Sequence, residues 1–300
     1  MRAPVLDDDS AQAFGGRHSV LKLDTVEGYL NAFTSALRPK FNLVYIDAFA
    51  GSGSFKFGGS PALGFMAARP ATVHDGSARR ALAVSPPFDQ LHFIDIDETN
   101  AEHLRSISAG RRGAHVHCED ANIAVRRICE QTDWGGRRGV IFLDPFDTAV
   151  AWDTLGVIAK TKSLDVWYLA PLAGIYRNAP HDHGDLTPEK KRTVTRILGT
   201  PDWEPEFYKM PTQRTFFDGD LHKSPRRVLD TDGIQNFMKR RLETVFPYVE
   251  KPRTLYGGSS GASPMFSLFF AMSNPSSAAR RVALPIAQHL LKPKAGQFRR

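Results

Sequence analysis

Five short apolar runs, separated by helix-like stretches, constrain the fold of this sequence more than any other feature. The runs lie at residues 42–49, 91–97, 114–118, 139–146 and 164–171. Each run is long enough for a buried strand but too short for a helix. The stretches that separate them have helical periodicity, most clearly at 97–108, 121–131 and 152–161. This alternation predicts an α/β, Rossmann-like fold with a mostly parallel central sheet and helices on both faces.

The same patterns divide the chain into regions. A helix ending before Pro39 is predicted because apolar residues recur at helical spacing, at Leu23, Val26, Leu30, Phe33 and Leu37. Residues 1–18 are expected to be a flexible lead-in, and 19–300 a single domain. The strand–helix rhythm stops near residue 172, which predicts a helical insertion over 172–250. The run at 264–275 then predicts a late antiparallel strand.

Charge and cysteine content limit the function classes. Lys and Arg exceed Asp and Glu by 39 − 32 = +7, and the pI is about 9.5. A basic chain favours anionic partners, so we expect nucleic acid, DNA or RNA. The two cysteines, Cys118 and Cys129, lack the spacing of a metal site, and we expect no metal. We see neither a signal peptide nor an apolar run of the roughly 20 residues that span a membrane, so a reduced cytoplasmic protein is expected.

Acids mark the ends of the first four runs. Ligands of open α/β sheets bind outside the carboxyl ends of the strands, so these positions form a candidate site. The acids are Asp47, Asp95, Asp97, Glu119, Asp120 and Asp144. Like charges that crowd together raise one another's pKa, which makes such a rim costly unless each acid binds a different polar or cationic part of a ligand.

The glycines after the first run do not fit the common phosphate-binding motifs. "GSGSFKFGGS" does not provide the G-x-x-x-x-G-K-[ST] pattern of a P-loop. The nicotinamide fingerprint G-x-G-x-x-G would need a third glycine where Lys56 stands. S-adenosylmethionine (SAM) fits better, because it has no phosphate and carries a cationic amine and a sulfonium. Gly51 and Gly53 would then admit its methionine part, Asp95 its ribose and Asp120 its adenine amine; the alternative is an ordinary tight strand-to-helix turn.

Several segments resemble the ordered motifs of class I SAM-dependent methyltransferases: "YIDAFAGSG", "GSP", "HFIDIDETNAEHL", "CEDAN" and "GVIFLDPFD". Together with the leading helix and "SPMFSLFFAMSNP", they make residues 19–292 similar to the three-Cys-motif partner protein family. The resemblance implies a methyltransferase fold, SAM as cofactor and a possible protein partner. The cofactor-binding residues expected on this basis are Asp47, Phe49, Gly51, Gly53, Asp95, Ile96, Asp120 and Ala121.

Asp144, Pro145 and Phe146 are the candidate catalytic residues. In methyltransferases that modify amines of nucleic-acid bases, the fourth strand ends in Asp/Asn-Pro-Pro followed by an aromatic residue. Acceptors for both amine hydrogens direct the nitrogen lone pair at the methyl group, and the aromatic ring stacks on the flipped base. This chain has one proline fewer than that motif, and an ordinary Asp-Pro turn is the alternative.

The sequence therefore predicts a SAM-dependent methyltransferase acting on an exocyclic amine of a nucleic-acid base. Tyr176, Arg177 and Asn178 follow the fifth run at the same edge and are candidate substrate contacts. Basic residues at 190–196 and 239–241 either line a solvated face or follow a phosphate backbone. The alternative function is a SAM-binding or catalytically degenerate module that acts through a protein complex, and the missing proline favours it.

Overall fold

A computed structural model describes residues 17–57, 72–145, 150–210, 224–257 and 263–292. The helices are α1 Arg17–Leu37, α2 Ser77–Ala83, α3 Glu98–Ile107, α4 Ala121–Gln131, α5 Trp152–Lys160, α6 Leu172–Asn178, α7 Pro188–Leu198, α8 Trp203–Phe207, α9 Thr231–Glu243 and α10 Ser277–Leu291. The strands are β1 Asn42–Asp47, β2 Ser54–Phe57, β3 Thr72–Asp75, β4 Gln90–Asp95, β5 Ala114–Cys118, β6 Arg137–Leu143, β7 Leu164–Ala170, β8 Tyr208–Lys209, β9 Arg226–Arg227, β10 Tyr248–Val249, β11 Arg253–Gly257 and β12 Ser263–Met272.

The chain forms two compact units. Unit 1 comprises Met1–Ala124 and Asp133–Phe142, and unit 2 comprises Val125–Thr132 and Leu143–Arg300. Neither unit is one continuous segment, since the chain leaves unit 1 after Ala124 and returns to it at Asp133.

Unit 1 is built on a parallel sheet with the strand order β6-β1-β4-β5. The central strand β1 pairs on both sides, as Tyr45 shows by its register with Val140 and Leu91. Every residue of β1 after Asn42 is buried. Burial on both faces explains why this strand is a continuous apolar run rather than an alternating one. The predicted α/β fold with a mostly parallel sheet is confirmed.

Unit 2 contains the late antiparallel strand that the sequence predicts. β12 runs antiparallel to β7, with Phe269 opposite Tyr168. On its other edge β12 pairs antiparallel with β10 and β11. The region predicted as a helical insertion, 172–250, contains α6 to α9, the short antiparallel pair β8–β9 and β10.

Two features differ from the sequence expectations. Helix α1 begins at Arg17, inside the predicted lead-in, whose residues 1–16 lie outside the described part of the chain. An antiparallel hairpin, β2–β3, follows the glycine loop and was not predicted. Its two strands have only four residues each, too few for a clear period of two.

Candidate active site

The glycine loop after β1 is joined to the end of β4 by hydrogen bonds. The Gly51 N–H donates to Asp95 Oδ2 at 2.9 Å. Beside it, the Ala50 N–H donates to the Ile94 carbonyl at 2.9 Å. Because β1 and β4 are parallel neighbours, their carboxyl ends meet at one edge of the unit 1 sheet. The structure therefore brings two of the predicted cofactor residues, Gly51 and Asp95, into direct contact.

Asp95 uses most of its acceptor capacity to order this edge. Its Oδ1 accepts from the Asp97 N–H at 2.9 Å and from Asn100 Nδ2 at 3.2 Å. With the Gly51 contact, three of the about four lone-pair positions of a carboxylate are occupied. Asp95 is half-buried, so one acceptor position remains for a ligand hydroxyl. Asp97, by contrast, is the N-cap of α3 and accepts from the Asn100 N–H at 3.0 Å.

The two glycines of the loop have different environments. Both have positive φ, +59° at Gly51 and +82° at Gly53. A Cβ at Gly51 would have no atom of the described residues within 4 Å, whereas a Cβ at Gly53 would lie 2.6 Å from Ile107 Cδ1 of α3. A methyl group at Gly53 would therefore displace the end of the Ile107 side chain, and the positive φ of Gly53 is what the tight-turn alternative expects. Gly51 faces open space, where a ligand can approach the backbone closely.

Asp120 follows β5 at the neighbouring strand end. The Glu119 N–H donates to the Asp95 carbonyl at 3.2 Å, which holds the ends of β4 and β5 together. Asp120 Oδ1 accepts from the N–H groups of Asn122 and Ile123 at 2.9 and 3.2 Å and so orders the start of α4. No described residue bonds to Asp120 Oδ2 in this structure, so that oxygen remains available to a ligand amine.

Exposed apolar side chains adjoin both acids. Ile96, directly after Asp95, is 73% exposed, and Ile123, in the first turn of α4, is 62% exposed. A site that combines apolar surface with a few placed acceptors is typical of nucleoside binding pockets. Ala121 is 8% exposed and belongs to the packed base of the helix.

Asp47 has a different position from the one that the sequence predicts for a ligand contact. Its side chain is 0% exposed, and its Oδ2 accepts from the Tyr45 hydroxyl at 3.3 Å. The two side chains share one face of β1 because they are two residues apart. The structure thus places the Asp47 carboxylate inside unit 1, while Phe49, two residues further along, is half-buried.

The predicted catalytic residues follow β6 directly. Asp144 is half-buried and Pro145 is buried, both within unit 2. Phe146 lies outside the described residues, which omit 146–149. The catalytic roles of all three stay predictions.

The predicted substrate contacts lie on α6, which follows the carboxyl end of β7. The Tyr176 hydroxyl bonds to Thr231 Oγ1, at the start of α9, at 2.8 Å. Asn178 Nδ2 donates to the Gly174 carbonyl at 2.8 Å, so its amide is engaged in the end of its own helix. Arg177 is exposed. The sequence analysis missed Arg227, whose guanidinium carbon is 4.5 Å from the centroid of the Tyr176 ring; no pattern connects residues so far apart in the chain.

Comparison with solved structures supports the fold. Protein LPL1258 from Legionella pneumophila str. Philadelphia 1 matches with a TM-score of 0.52 at 10% identity, over 92% of both chains. An rRNA methylase from Streptococcus thermophilus gives 0.29 at 11% identity, over 72% of this chain and all (100%) of that one. The DhpI–SAH complex gives 0.32 at 10% identity, over 87% and 100%. These last two scores are below 0.5, and nothing is inferred from them.

No protein-family model and no curated protein matches the sequence. The resemblance to the three-Cys-motif partner family therefore stays a prediction. Within the described ranges, no helix has the length and hydropathy needed to cross a membrane. The same residues contain no group of three or more His, Cys, Asp or Glu side chains arranged to hold a metal ion.

Much of the basic charge in unit 2 is paired on its own surface. Lys191 pairs with Glu204, Arg192 with Glu189, Lys239 with Glu243 and Arg240 with Glu206. Arg241 donates to the carbonyls of Leu198 and Gly199, at the end of α7. These contacts favour the solvated-face interpretation of both basic runs over the phosphate-tracking one.

Proposed function

We propose that this chain is a SAM-dependent methyltransferase that acts on an exocyclic amine of a nucleic-acid base. The contact between the Gly51 N–H and the Asp95 carboxylate supports this proposal most directly. It places a carboxylate against the glycine loop at the carboxyl edge of a parallel sheet. A carboxylate there can accept from a ribose hydroxyl of a nucleoside cofactor, and Lys56 in place of the third glycine of G-x-G-x-x-G disfavours a dinucleotide.

The residues at this edge fit SAM. The open space over Gly51 would admit the methionine part, and the remaining acceptor position of Asp95 would take a ribose hydroxyl. Asp120 Oδ2 would accept from the adenine amine, next to the apolar surfaces of Ile96 and Ile123. When bound, SAM supplies an electrophilic methyl group on its sulfonium.

Asp144 and the Pro145 carbonyl would act on the amine. An exocyclic amine is a poor nucleophile because its lone pair is delocalised into the ring. Two acceptors that take its hydrogens turn the nitrogen towards a tetrahedral geometry and localise the lone pair. Phe146 would stack on the flipped base. The net charge of +7 agrees with a nucleic-acid substrate, and two cysteines that form no disulfide, Cys118 and Cys129, agree with a cytoplasmic protein.

A tritiated-methyl assay tests this function. Wild type, Asp144→Ala and Asp153→Ala would be incubated with labelled SAM and with RNA, DNA or protein pools. We expect label in a nucleic-acid pool, and a loss of about 100-fold or more in Asp144→Ala, which removes the side-chain acceptor. Asp153 is an exposed carboxylate in the first turn of α5, and its variant should behave like wild type. Calorimetry should show SAM affinity within about threefold of wild type in both variants.

The remaining outcomes separate the alternatives. Equal incorporation by wild type and Asp144→Ala contradicts the role of Asp144. SAM binding without turnover on any pool favours the degenerate partner module. Absence of SAM binding contradicts the function as a whole.

A further inference from the structure

Arg227 is a half-buried cation without a counter-ion among the described residues. Its Nε is buried and has no hydrogen-bond partner in the described part of the chain. Its Nη1 donates only a long bond, 3.4 Å, to the Leu229 carbonyl. A buried donor left unsatisfied is costly, and more so on a charged group, so native proteins rarely keep one without a reason.

The guanidinium is nevertheless held in a fixed place. It lies over the Tyr176 ring with its central carbon 4.5 Å from the ring centroid. The Tyr176 hydroxyl is in turn bonded to Thr231 at 2.8 Å. The Arg227 backbone is fixed as well, because it pairs with Tyr208 and its N–H donates to the His181 carbonyl at 2.8 Å. The cation is therefore pre-oriented, which reduces the entropy lost when it binds an anion.

The surrounding groups do not neutralise it. The Tyr208 hydroxyl donates to the Pro180 carbonyl, and burial raises the pKa of this phenol to about 12, so it stays neutral. Two carboxylates lie near Tyr208: Glu204 is engaged with Lys191 and His183, and Asp182 accepts from the Gly184 N–H and the Ser224 hydroxyl. An arginine that is stacked, oriented and without an anionic partner matches the geometry of a phosphate or carboxylate site.

We propose that Arg227 binds a phosphate of the nucleic-acid strand that carries the target base, with Tyr176 as its platform. This inference rests on the proposed function. The location agrees with it, since Tyr176 lies on the helix that follows the carboxyl end of β7, the edge at which α/β sheets bind ligands. The Nη groups are the donors that a phosphate can reach, since Nε is buried, and arginine stacked on an aromatic ring is common in such sites.

The assignment is tested by measuring how tightly the protein binds two short single strands of mixed sequence, one RNA and one DNA. Fluorescence anisotropy gives the affinity at each salt concentration of a series. Arg227→Gln removes the charge, and Arg227→Lys keeps it but loses the planar fork. Arg226→Gln is the matched control, because Arg226 is the exposed neighbour on the same strand. SAM affinity and Tm of each variant would be measured in parallel.

We expect Arg227→Gln to weaken binding of at least one strand by about tenfold or more, and to reduce the slope of log K against log salt by about one. Arg227→Lys should restore the slope but not the full affinity. Arg226→Gln should change affinity by less than about twofold. SAM affinity should be unchanged, and Tm should not fall in Arg227→Gln, since the substitution removes an unsatisfied donor.

Unchanged binding in Arg227→Gln, or an equal loss in Arg226→Gln, overturns the assignment. The assignment is also overturned if Arg227→Gln lowers Tm and Arg227→Lys restores both Tm and full affinity for the strand. That result would show that Arg227 has a structural role. If wild type and Arg227→Gln methylate nucleic acid equally well at low strand concentration, the assignment of Arg227 fails but the proposed function stands. If wild type binds neither strand, both this inference and the nucleic-acid part of the proposed function fail.

Discussion

Asp95 and Asp47 show how one residue type takes two roles at equivalent positions of neighbouring strands. Each is the last residue of its strand. Asp95 points to the loop and binds the Gly51 N–H, whereas Asp47 is fully buried and accepts from Tyr45. The sequence predicts an acid at each strand end but cannot give its direction, because burial depends on the neighbouring elements and not on the local pattern.

Asp95→Asn should weaken both the loop and cofactor binding. The asparagine amide has one accepting oxygen and one donating NH₂ group. Its NH₂ group must therefore face another donor, the N–H of Gly51 or that of Asp97, and one of the two hydrogen bonds is lost. We expect a loss of about 1–3 kcal/mol in stability and at least about tenfold in SAM affinity. Thermal denaturation with and without SAM measures both. Asp97→Asn is the control, because Asn caps a helix as well as Asp does, and it should leave both values unchanged.

Alanine substitutions at the two glycines should separate binding from packing. Gly51→Ala costs about 1–2 kcal/mol for its positive φ and keeps the fold, but its methyl group fills the open space and should weaken SAM binding. Gly53→Ala has the same backbone cost and also meets Ile107 Cδ1, so it should unfold at lower denaturant concentration than Gly51→Ala. The separation of binding from packing is contradicted if Gly51→Ala is less stable than Gly53→Ala and binds SAM with normal affinity.

At the scale of elements, predictions succeed where the determinants are local. Helix α7 begins and ends at residues with local start and stop signals: Thr187 accepts from the Lys190 N–H, Pro188 is the first residue, and Gly199 ends the helix with φ +67°. The buried strands are also confirmed, because a parallel sheet requires continuous apolar runs. The β2–β3 hairpin and the Arg227–Tyr176 contact depend on pairing across long separations, which leaves no periodic signal.

Helix α9 provides a test of the basic runs. The Arg241 guanidinium donates to the Leu198 and Gly199 carbonyls at the end of α7 and lies 5.1 Å from the Trp152 ring centroid. Arg241→Gln should therefore lower Tm, by about 2–4 °C for each kcal/mol by which the free energy of unfolding falls. Arg240 forms an exposed pair with Glu206, so Arg240→Gln should shift Tm by less than about 2 °C. Neither variant should change nucleic-acid affinity more than about twofold, and a larger loss in Arg240→Gln would revive the phosphate-tracking role of this helix.

At the scale of the whole molecule, the chain is interleaved between its two units. Helix α4 begins in unit 1, and its residues from Val125 onwards belong to unit 2 together with Leu143–Arg300. The order of strands along the sequence suggests a simple succession of elements, yet one helix belongs to both units. A cut after Phe142 therefore removes Val125–Thr132 from unit 2.

A fragment of residues 143–300 should consequently fail to fold cooperatively. It lacks Val125, Ile128 and Cys129, which are all buried. Losing the burial of an aliphatic side chain costs about 1.5–3 kcal/mol, so Val125 and Ile128 together account for about 3–6 kcal/mol. A typical domain is stabilised by only about 5–15 kcal/mol. Calorimetry of the fragment should show no cooperative transition under conditions in which the full chain gives one. A sharp transition in the isolated fragment would instead show that Leu143–Arg300 folds independently and would contradict the single domain predicted over 19–300.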